Sequence, residues 1–475
     1  MSKTKKQELF YIMNPNCGWC KKADPVVDEL IKNGVEITTL DVSNQDEAKQ
    51  ANEIKSKHEV RCGTPLFIES ETGNMVCGFR EVDVLTKWAN GEVIPAPPRP
   101  KPKPNPNDKQ KEPTNIPQRK LAQLEYIWVD GDNNTRSKTR FLPINFGTEE
   151  NPLPFESIMT QIPQWTYDGS STNQSNREDS DLILKPVRFF GNPFSSQQPN
   201  SVSYIVLCEV FNGDDTPHET NTRAKLRTLI DSIPDSNDMW FGLEQEYVFV
   251  DEYGTIDNWH EDQKPQGDYY CGIGGNNISN DQRQIVQTHA QFCIQSGINI
   301  GGTNAEVLKS QWEYQLNPTT AISQSDQLFV SRYILNRLAE VRGKYVSFDP
   351  KPIEGDWNGS GCHINFSNKK MREEGGKDYI EEVCSVLKDS HDNCIDSYGT
   401  GTERRLSGEH ETSKYDEYTW SDCDRGASVR IPLTTVKNEY RGHIEDRRPS
   451  ANIDPYEAIH AFVEGVEVLL LEKVA

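Results

Sequence analysis

The sequence predicts a multidomain protein of mixed α/β and α+β class. Three observations carry this reading. The chain has 475 residues, enough for two to four domains. A proline- and lysine-rich stretch at 93–120 interrupts it. Strand-like runs are interspersed with helix-like runs on both sides of that stretch. The expected divisions are 1–92, the linker 93–120, then 121–216 and 217–475. Lys and Arg number 51 against 73 Asp and Glu, a net charge of −22, which argues against broad binding to nucleic acid or anionic membranes. Aromatic residues, 9% of the chain, are spread along its length and argue against wholesale disorder. No apolar run approaches the ~18 residues of a membrane span.

Residues 1–92 read as β-α-β-α-β-β-α. A strand at Leu9–Met13 leads into Cys17-Gly18-Trp19-Cys20 and a helix from about Lys21 to Lys32, whose apolar side is Val26, Val27, Leu30 and Ile31. A strand at Glu36–Leu40 and a helix at Gln45–Lys57 follow. Then come Gly63-Thr64-Pro65-Leu66-Phe67-Ile68, a turn at Thr72-Gly73-Asn74, a short strand and a helix through Leu85 and Trp88. A Cys-x-x-Cys between strand and helix sets the first sulfur at a helix N-terminus, which favours the thiolate. Cys17 is the candidate nucleophile, and Cys20 closes the intramolecular disulfide that releases a partner. The pattern resembles the thioredoxin and glutaredoxin superfamily over residues 8–90, and the resemblance matches Pro65 to that family's cis-proline. Trp19 departs from the family's usual Pro or Tyr. Two other readings stay open: a zinc site of Cys17, Cys20, Cys62 and Cys77, and a docking module without redox activity. Eleven cysteines without a dense framework otherwise suggest reduced, mostly buried thiols.

In the linker, proline at alternate positions from Pro98 to Pro106 predicts an extended spacer of about 3 Å per residue. Beyond it, strands are expected at Tyr126–Asp130, Tyr204–Phe211, Phe241–Val250 and Ser428–Ile431. Helices are expected at Thr222–Ile233, Arg283–Gln295, Asp326–Arg342 and Tyr456–Leu471.

Chemistry concentrates in this second part. Glu244 and Glu246 lie two apart in a hydrophobic strand and therefore share a face, where they repel unless a cation lies between them. A second acidic pair is Glu306 and Glu313, and farther on stand His363, after a glycine-rich run, and Glu445. Oxygen-rich ligation with one imidazole suits Mg²⁺ or Mn²⁺. Arg404, Arg405, Arg425, Arg430, Arg447 and Arg448 crowd the last quarter of an acidic chain. Guanidinium forks clamp phosphate and carboxylate oxygens, so this set beside divalent ions suggests phosphoryl transfer from a nucleotide. No Walker A motif is present, which leaves phosphate binding to metals and arginines. Surface ion pairing is the plain alternative for any single arginine.

The ordered motifs Tyr167-Asp168-Gly169-Ser170-Ser171-Thr172, Glu244-Gln245-Glu246, Thr303-Asn304-Ala305-Glu306, Asn358-Gly359-Ser360-Gly361-Cys362-His363 and Glu445-Asp446-Arg447-Arg448-Pro449-Ser450-Ala451-Asn452 resemble glutamine synthetases of the eukaryotic-type class, class II, from about Gln123 to Pro455. The resemblance implies a β-grasp domain followed by a catalytic domain of antiparallel sheet and helices. It implies homo-oligomeric rings, pentamers paired as a decamer, with sites between subunits, so that Asp168 reaches the adjacent site. It implies two or more Mg²⁺ or Mn²⁺ ions per site: Glu246, Glu306 and Glu313 on one, Glu244, His363 and Glu445 on another. Trp240, Asn365, Ser367, Arg425, Arg430 and His443 are implied for ATP, and Trp357, Gly359, Arg405 and Arg447 for glutamate. Catalytic roles are implied for Asp168, the flap residue Glu411, Arg425 and Arg447. His443 replaces a usual Tyr, and Glu409 a usual Phe beside the flap.

The expected function is ATP-dependent ligation of ammonia to L-glutamate through γ-glutamyl phosphate, with an appended thiol-disulfide domain whose partner is a protein thiol or glutathione. The alternatives are a related glutamate–amine ligase and a non-catalytic scaffold. No flavin, nicotinamide, nucleic acid or membrane is expected, and the N-terminus lacks the apolar segment of a secretory signal, which suggests the cytoplasm. Exchange between Cys17 and a thiol such as Cys362, beside His363, is a further expectation.

Overall fold

The computed structural model describes residues 8–58, 60, 62–94, 121–147, 150–195, 201–259, 268–274, 279–374 and 376–471. The expected extended linker lies outside them. The chain divides into two compact units, Met1–Thr114 and Asn115–Ala475.

In the first unit, strands Leu9–Met13, Ile37–Asp41, Leu66–Glu69 and Met75–Cys77 form one sheet, in the order second, first, third, fourth. The first two run parallel, and the third is antiparallel to the first. Alternation in Leu9–Met13 explains why the sheet is covered on both sides. Leu9 and Tyr11 pack with Val27, Leu30, Leu85 and Trp88 from helices Gly18–Lys32 and Val82–Ala89, whereas Phe10 and Ile12 pack with Ala51 and Ile54 from helix Gln45–Lys57. That last helix is capped by the Asn44 side chain, which accepts from the Asp46 and Glu47 amides. The Thr64–Pro65 peptide is cis. The open zinc reading and the expectation that Cys62 and Cys77 are reduced are both corrected here. Cys62 and Cys77 form a disulfide, because the antiparallel pairing of Leu66 with Cys77 brings the segment before Leu66 back beside that strand. The bond removes both sulfurs from the four-cysteine zinc reading.

Among the described residues the second unit forms two sheets. A five-stranded sheet is ordered Thr135–Leu142, Leu121–Val129, Ser201–Phe211, Asp181–Gly191, Trp165–Asp168. The larger sheet runs Ile300–Ala305, Gln311–Thr319, Trp240–Val250, Cys362–Ser367, Ile444–Asp446, Val429–Ile431, Trp420–Asp422, with Tyr345–Ser347 also pairing to Trp240–Val250. It is antiparallel except for its last pair, which is parallel. Strand Trp240–Val250 is its centre. Phe241, Leu243, Tyr247 and Phe249 turn one way into the core, with Ile364 and Phe366 beside them, under helices Ala321–Val341 and Pro455–Leu471. Residues 242, 244 and 246 therefore turn the other way. Helix Ala321–Val341 is buried nearly all round, so its apolar stripe understates its burial. Helix Asn280–Ser296 ends at Gly297, whose left-handed backbone (φ 81°) returns its amide to the Cys293 and Ile294 carbonyls.

Several short strands were not among the sequence candidates, including Cys362–Ser367 and Ile444–Asp446. They are flanked by glycine or charged residues and acquire their form from neighbours in the sheet. Among the described residues no helix is long and apolar enough to cross a membrane.

Candidate active site

The polar face of the large sheet is set by register. Glu244 stands opposite His363 on one side and Gln315 on the other; Glu246 stands opposite Glu313; Asn365 and Arg430 both stand opposite Glu445. Residues directly opposite in antiparallel strands project to the same side. Five strands thus bring carboxylates, one imidazole and one guanidinium onto a single surface.

Two groups of three result. Glu244, His363 and Glu445 each offer a ligand atom within 4.8 Å of the others, and so do Glu246, Glu306 and Glu313. His363 Nδ1 lies 3.4 Å from both Glu244 Oε2 and Glu445 Oε1. Burial holds the imidazole well below its ordinary pKa, with Arg447 adding to the effect, so it stays neutral with a lone pair to give. Glu445 is clamped by Arg447 Nη1 at 2.6 Å and Arg430 Nη1 at 2.7 Å. The other group has amides for partners. Asn304 Nδ2 donates to Glu306 at 2.8 Å, Gln315 Nε2 to Glu313 at 2.7 Å and Gln311 Nε2 to Glu246 at 3.2 Å. Burial, with the neighbouring carboxylates, pushes Glu306 up to about 8 and Glu313 up to about 9. This donor set, all oxygen with one imidazole, and the crowding of Glu306 with Glu313 fit divalent cations.

Arg405 joins the groups. Its Nη2 lies 3.2 Å from His363 Nε2, its Nη1 donates to the Arg447 and Arg448 carbonyls, and burial lowers its pKa to about 10. Glycine is required at two places against it. A Cβ at Gly359 would lie 2.4 Å from the Pro350 carbonyl and 2.8 Å from Arg405 Cγ, and one at Gly361 would lie 2.4 Å from Arg405 Nη2. Beside the acidic face opens a cavity of about 310 Å³, lined by Trp240, Asn365, Ser367 and His443 among others.

Other sequence candidates are more peripheral. Trp357 packs edge-on against Trp259. Arg425 lies on an exposed loop, its carbonyl accepting from Arg447 Nε. Glu411, at φ 62°, is exposed, and its carbonyl accepts from Arg447 Nη2 at 3.3 Å. Asp168 stands apart, on an exposed turn of the five-stranded sheet. Its carboxylate accepts from the Ser170 amide and the Ser170 and Ser171 hydroxyls, which hold it below its usual range.

The sequence reading missed Asn304, Gln311, Gln315 and Arg372. Gln315 was reachable, since it lies two residues after Glu313 on the same strand. Arg372 sits 3.7 Å from the Trp240 ring and lines the cavity, and no local pattern announces it. The expected exchange partner Cys362 is corrected: neighbouring residues in a strand face opposite ways, so it lies on the core side, fully buried, its thiol pushed up to about 12.

In the first unit, Cys17 is the N-cap of helix Gly18–Lys32, which starts three residues before the expected Lys21. Its Sγ lies 3.4 Å from the Thr64 carbonyl, and its pKa is lowered, chiefly by a hydrogen bond with Cys20. Cys20 is buried and raised by that burial. Trp19 is exposed and stacks on Phe79.

The glutamine synthetase of Candida glabrata is 43% identical over 343 residues, covering 72% of this chain and 87% of that protein. This chain belongs to the glutamine synthetase family. The family's catalytic domain, "Glutamine synthetase, catalytic domain", matches residues 219–380. The glutamine synthetase of Neurospora crassa is 43% identical over 351 residues, covering 74% of this chain and 92% of that protein, and that of Saccharomyces cerevisiae is 41% identical over 343, covering 72% and 88%. A solved structure described as "Apo GmaS without ligand" shares the fold, with a TM-score of 0.57 at 16% identity over 74% of this chain and 79% of that one. The family match falls on the segment that supplies Glu244, Glu246, Glu306, Glu313 and His363, whereas Arg405, Arg425, Arg430, Glu445 and Arg447 lie beyond it.

Proposed function

We propose that this chain joins ammonia to the γ-carboxylate of L-glutamate, converting ATP to ADP and phosphate through γ-glutamyl phosphate. The observation that carries the reading is the pair of acidic groups on one sheet face, backed by arginines and bordered by the cavity, in a member of the glutamine synthetase family. Glu246, Glu306 and Glu313 would hold one divalent cation, and Glu244, His363 and Glu445 another. Bound Mg²⁺ or Mn²⁺ supplies charge for the transferring phosphoryl group.

The chain's own residues account for the rest. The cavity lined by Trp240, Asn365, Ser367 and His443 takes the base and ribose of ATP, with Arg425 and Arg430 toward its phosphates. Arg405 and Arg447, with Gly359 and Trp357, take glutamate. Arg447 also balances charge as the γ-carboxylate oxygen attacks phosphorus and ADP leaves. Glu411 closes over the acyl phosphate and excludes water. Asp168, kept anionic by its serine hydroxyls, holds ammonium by charge and takes one of its protons; the resulting ammonia attacks the acyl carbon and phosphate leaves. The assembly is a cytoplasmic ring in which Asp168, on the five-stranded sheet and outside both acidic groups, serves a neighbouring copy.

The first unit is proposed to be thioredoxin-like. Its support is the sheet order and Cys17 at the helix start. Cys17 thiolate attacks a partner disulfide and expels one partner thiolate. Cys20 then attacks the Cys17 sulfur, forming Cys17–Cys20 and releasing the second thiolate, so the partner is reduced as the pair is oxidised.

The test is phosphate release from Mg-ATP and glutamate with and without ammonium, with glutamine assayed directly. One glutamine per phosphate supports the ligase; phosphate or glutamine absent from folded protein with Mg²⁺ or Mn²⁺ overturns it in favour of another amine acceptor or a scaffold. For the first unit, loss of disulfide reduction in Cys17→Ser is expected.

A further inference from the structure

Beneath the exposed Asp168 turn lies a buried polar hub to which no role is assigned above. Strand Trp165–Asp168 ends in the 3₁₀ turn Gly169–Thr172, and Asn173 reverses the chain at φ 55°. The next residue, Gln174, is buried with every side-chain hydrogen-bonding position filled. Its Oε1 accepts from Tyr167 Oη at 2.7 Å and Thr172 Oγ1 at 2.9 Å. Its Nε2 donates to the Val129 carbonyl at 3.1 Å and to Thr220 Oγ1 at 2.8 Å. Its own amide donates to the Gly169 carbonyl at 3.0 Å. One side chain therefore ties both flanks of the Asp168 turn to two other segments of the fold.

His218 completes the hub from below. Its Nε2 lies 2.7 Å from the Gln174 carbonyl, and its Nδ1 lies 3.2 Å from the Thr220 amide and 2.9 Å from Thr220 Oγ1. An amide only donates, so Nδ1 is the acceptor, and the ring is the neutral tautomer whose Nε2–H donates to Gln174. The far side of the turn is closed by the Gly131 amide bonding the Thr172 carbonyl at 2.9 Å.

We propose that Gln174 and His218 are positioning residues for Asp168, fixing the rotation of its turn so that the carboxylate meets ammonium in the orientation needed to take a proton. This rests on the ligase reading given above. Apolar side chains of similar volume would fill the same space, but only directional bonds fix how the turn is rotated, and an error near 1 Å at a reacting group costs about 10²-fold.

The experiment uses full-length Gln174→Met and His218→Leu, two variants so that a folding failure in one leaves the other. Glutamine formation from ammonium is compared with γ-glutamyl hydroxamate formation from hydroxylamine, a nucleophile already neutral near pH 7.5. We expect the ammonium KM to rise about tenfold or more, while the hydroxylamine rate stays within about twofold of wild type. Equal losses with both nucleophiles, or no loss with either, overturn the proposal. If the wild-type protein makes no glutamine, it is the ligase reading that has failed. Hydrogen exchange in the peptide 167–175 then judges the hub. Faster exchange of the Ser170 and Ser171 amides in both variants, with 240–250 unchanged, upholds it; unchanged exchange overturns it.

Discussion

The two acidic groups on the large sheet have the same size and share the same face, yet they are balanced differently. Glu445 in the first group is held by two guanidinium ions, Arg430 and Arg447. Glu306 and Glu313 in the second take side-chain hydrogen bonds from neutral amides, and burial, with crowding, drives both well above the ordinary carboxylate range. The first group is therefore balanced largely by protein cations, whereas in the second Arg405 and Arg447 reach Glu246 alone, and Glu306 with Glu313 are left to protons or a bound cation. A buried carboxylate raised in this way is a demand for a ligand as much as a property of the fold.

Chelation should break the comparison most severely. Removing divalent ions is expected to lower glutamine formation by at least about 10³-fold, with recovery on adding Mg²⁺ or Mn²⁺. Next in size is Glu445→Gln, which leaves Arg430 and Arg447 without their anion. It should destabilise the metal-free protein by about 3–5 kcal/mol in urea titrations. Glu313→Gln should act with the opposite sign, stabilising the metal-free protein by about 1 kcal/mol at pH 8, because it removes a carboxyl that must keep its proton on folding where the unfolded chain has lost it. Equal destabilisation by the two variants would contradict the contrast between the groups.

The pH dependence has a definite sign. The unfolded chain releases the Glu306 and Glu313 protons near 4.5, whereas the folded metal-free protein keeps them to about 8 and about 9. Between those limits the folded state binds more protons, so this contribution to stability falls as pH rises. Denaturation series from pH 5 to pH 9 should show the decline without divalent ions and a flatter profile with saturating Mn²⁺. The smallest effect is expected outside both groups: His443→Tyr should lower the KM for ATP about threefold by widening the aromatic surface at the cavity wall.

Much of the acidic face was legible in the sequence because strand alternation alone sets Glu244 and Glu246 on one side. The same rule sets Cys362 opposite His363, so its burial was legible too. Gln311 and Asn304 were harder to read, since amides carry no charge to mark them and their function depends on cross-strand register. The Cys62–Cys77 bond likewise arises from the return of one strand beside another, and cysteine spacing does not contain it. Short strands such as Ile444–Asp446 have too few residues to display a period, although Glu445 within one of them is central to the site. In the first unit the order of elements followed from local pattern, while the start of the Gly18–Lys32 helix was misjudged because Cys17 caps it without a side-chain hydrogen bond.

The most direct test is Mn²⁺ titration of the metal-free protein at pH 7 in weak buffer, recording ions bound and protons released together, for wild type and Glu313→Gln. Wild type should bind at least two ions per chain with net proton release, and the variant fewer ions with most of that release lost. Binding without proton release, or an unchanged count and release in Glu313→Gln, would contradict the cation reading.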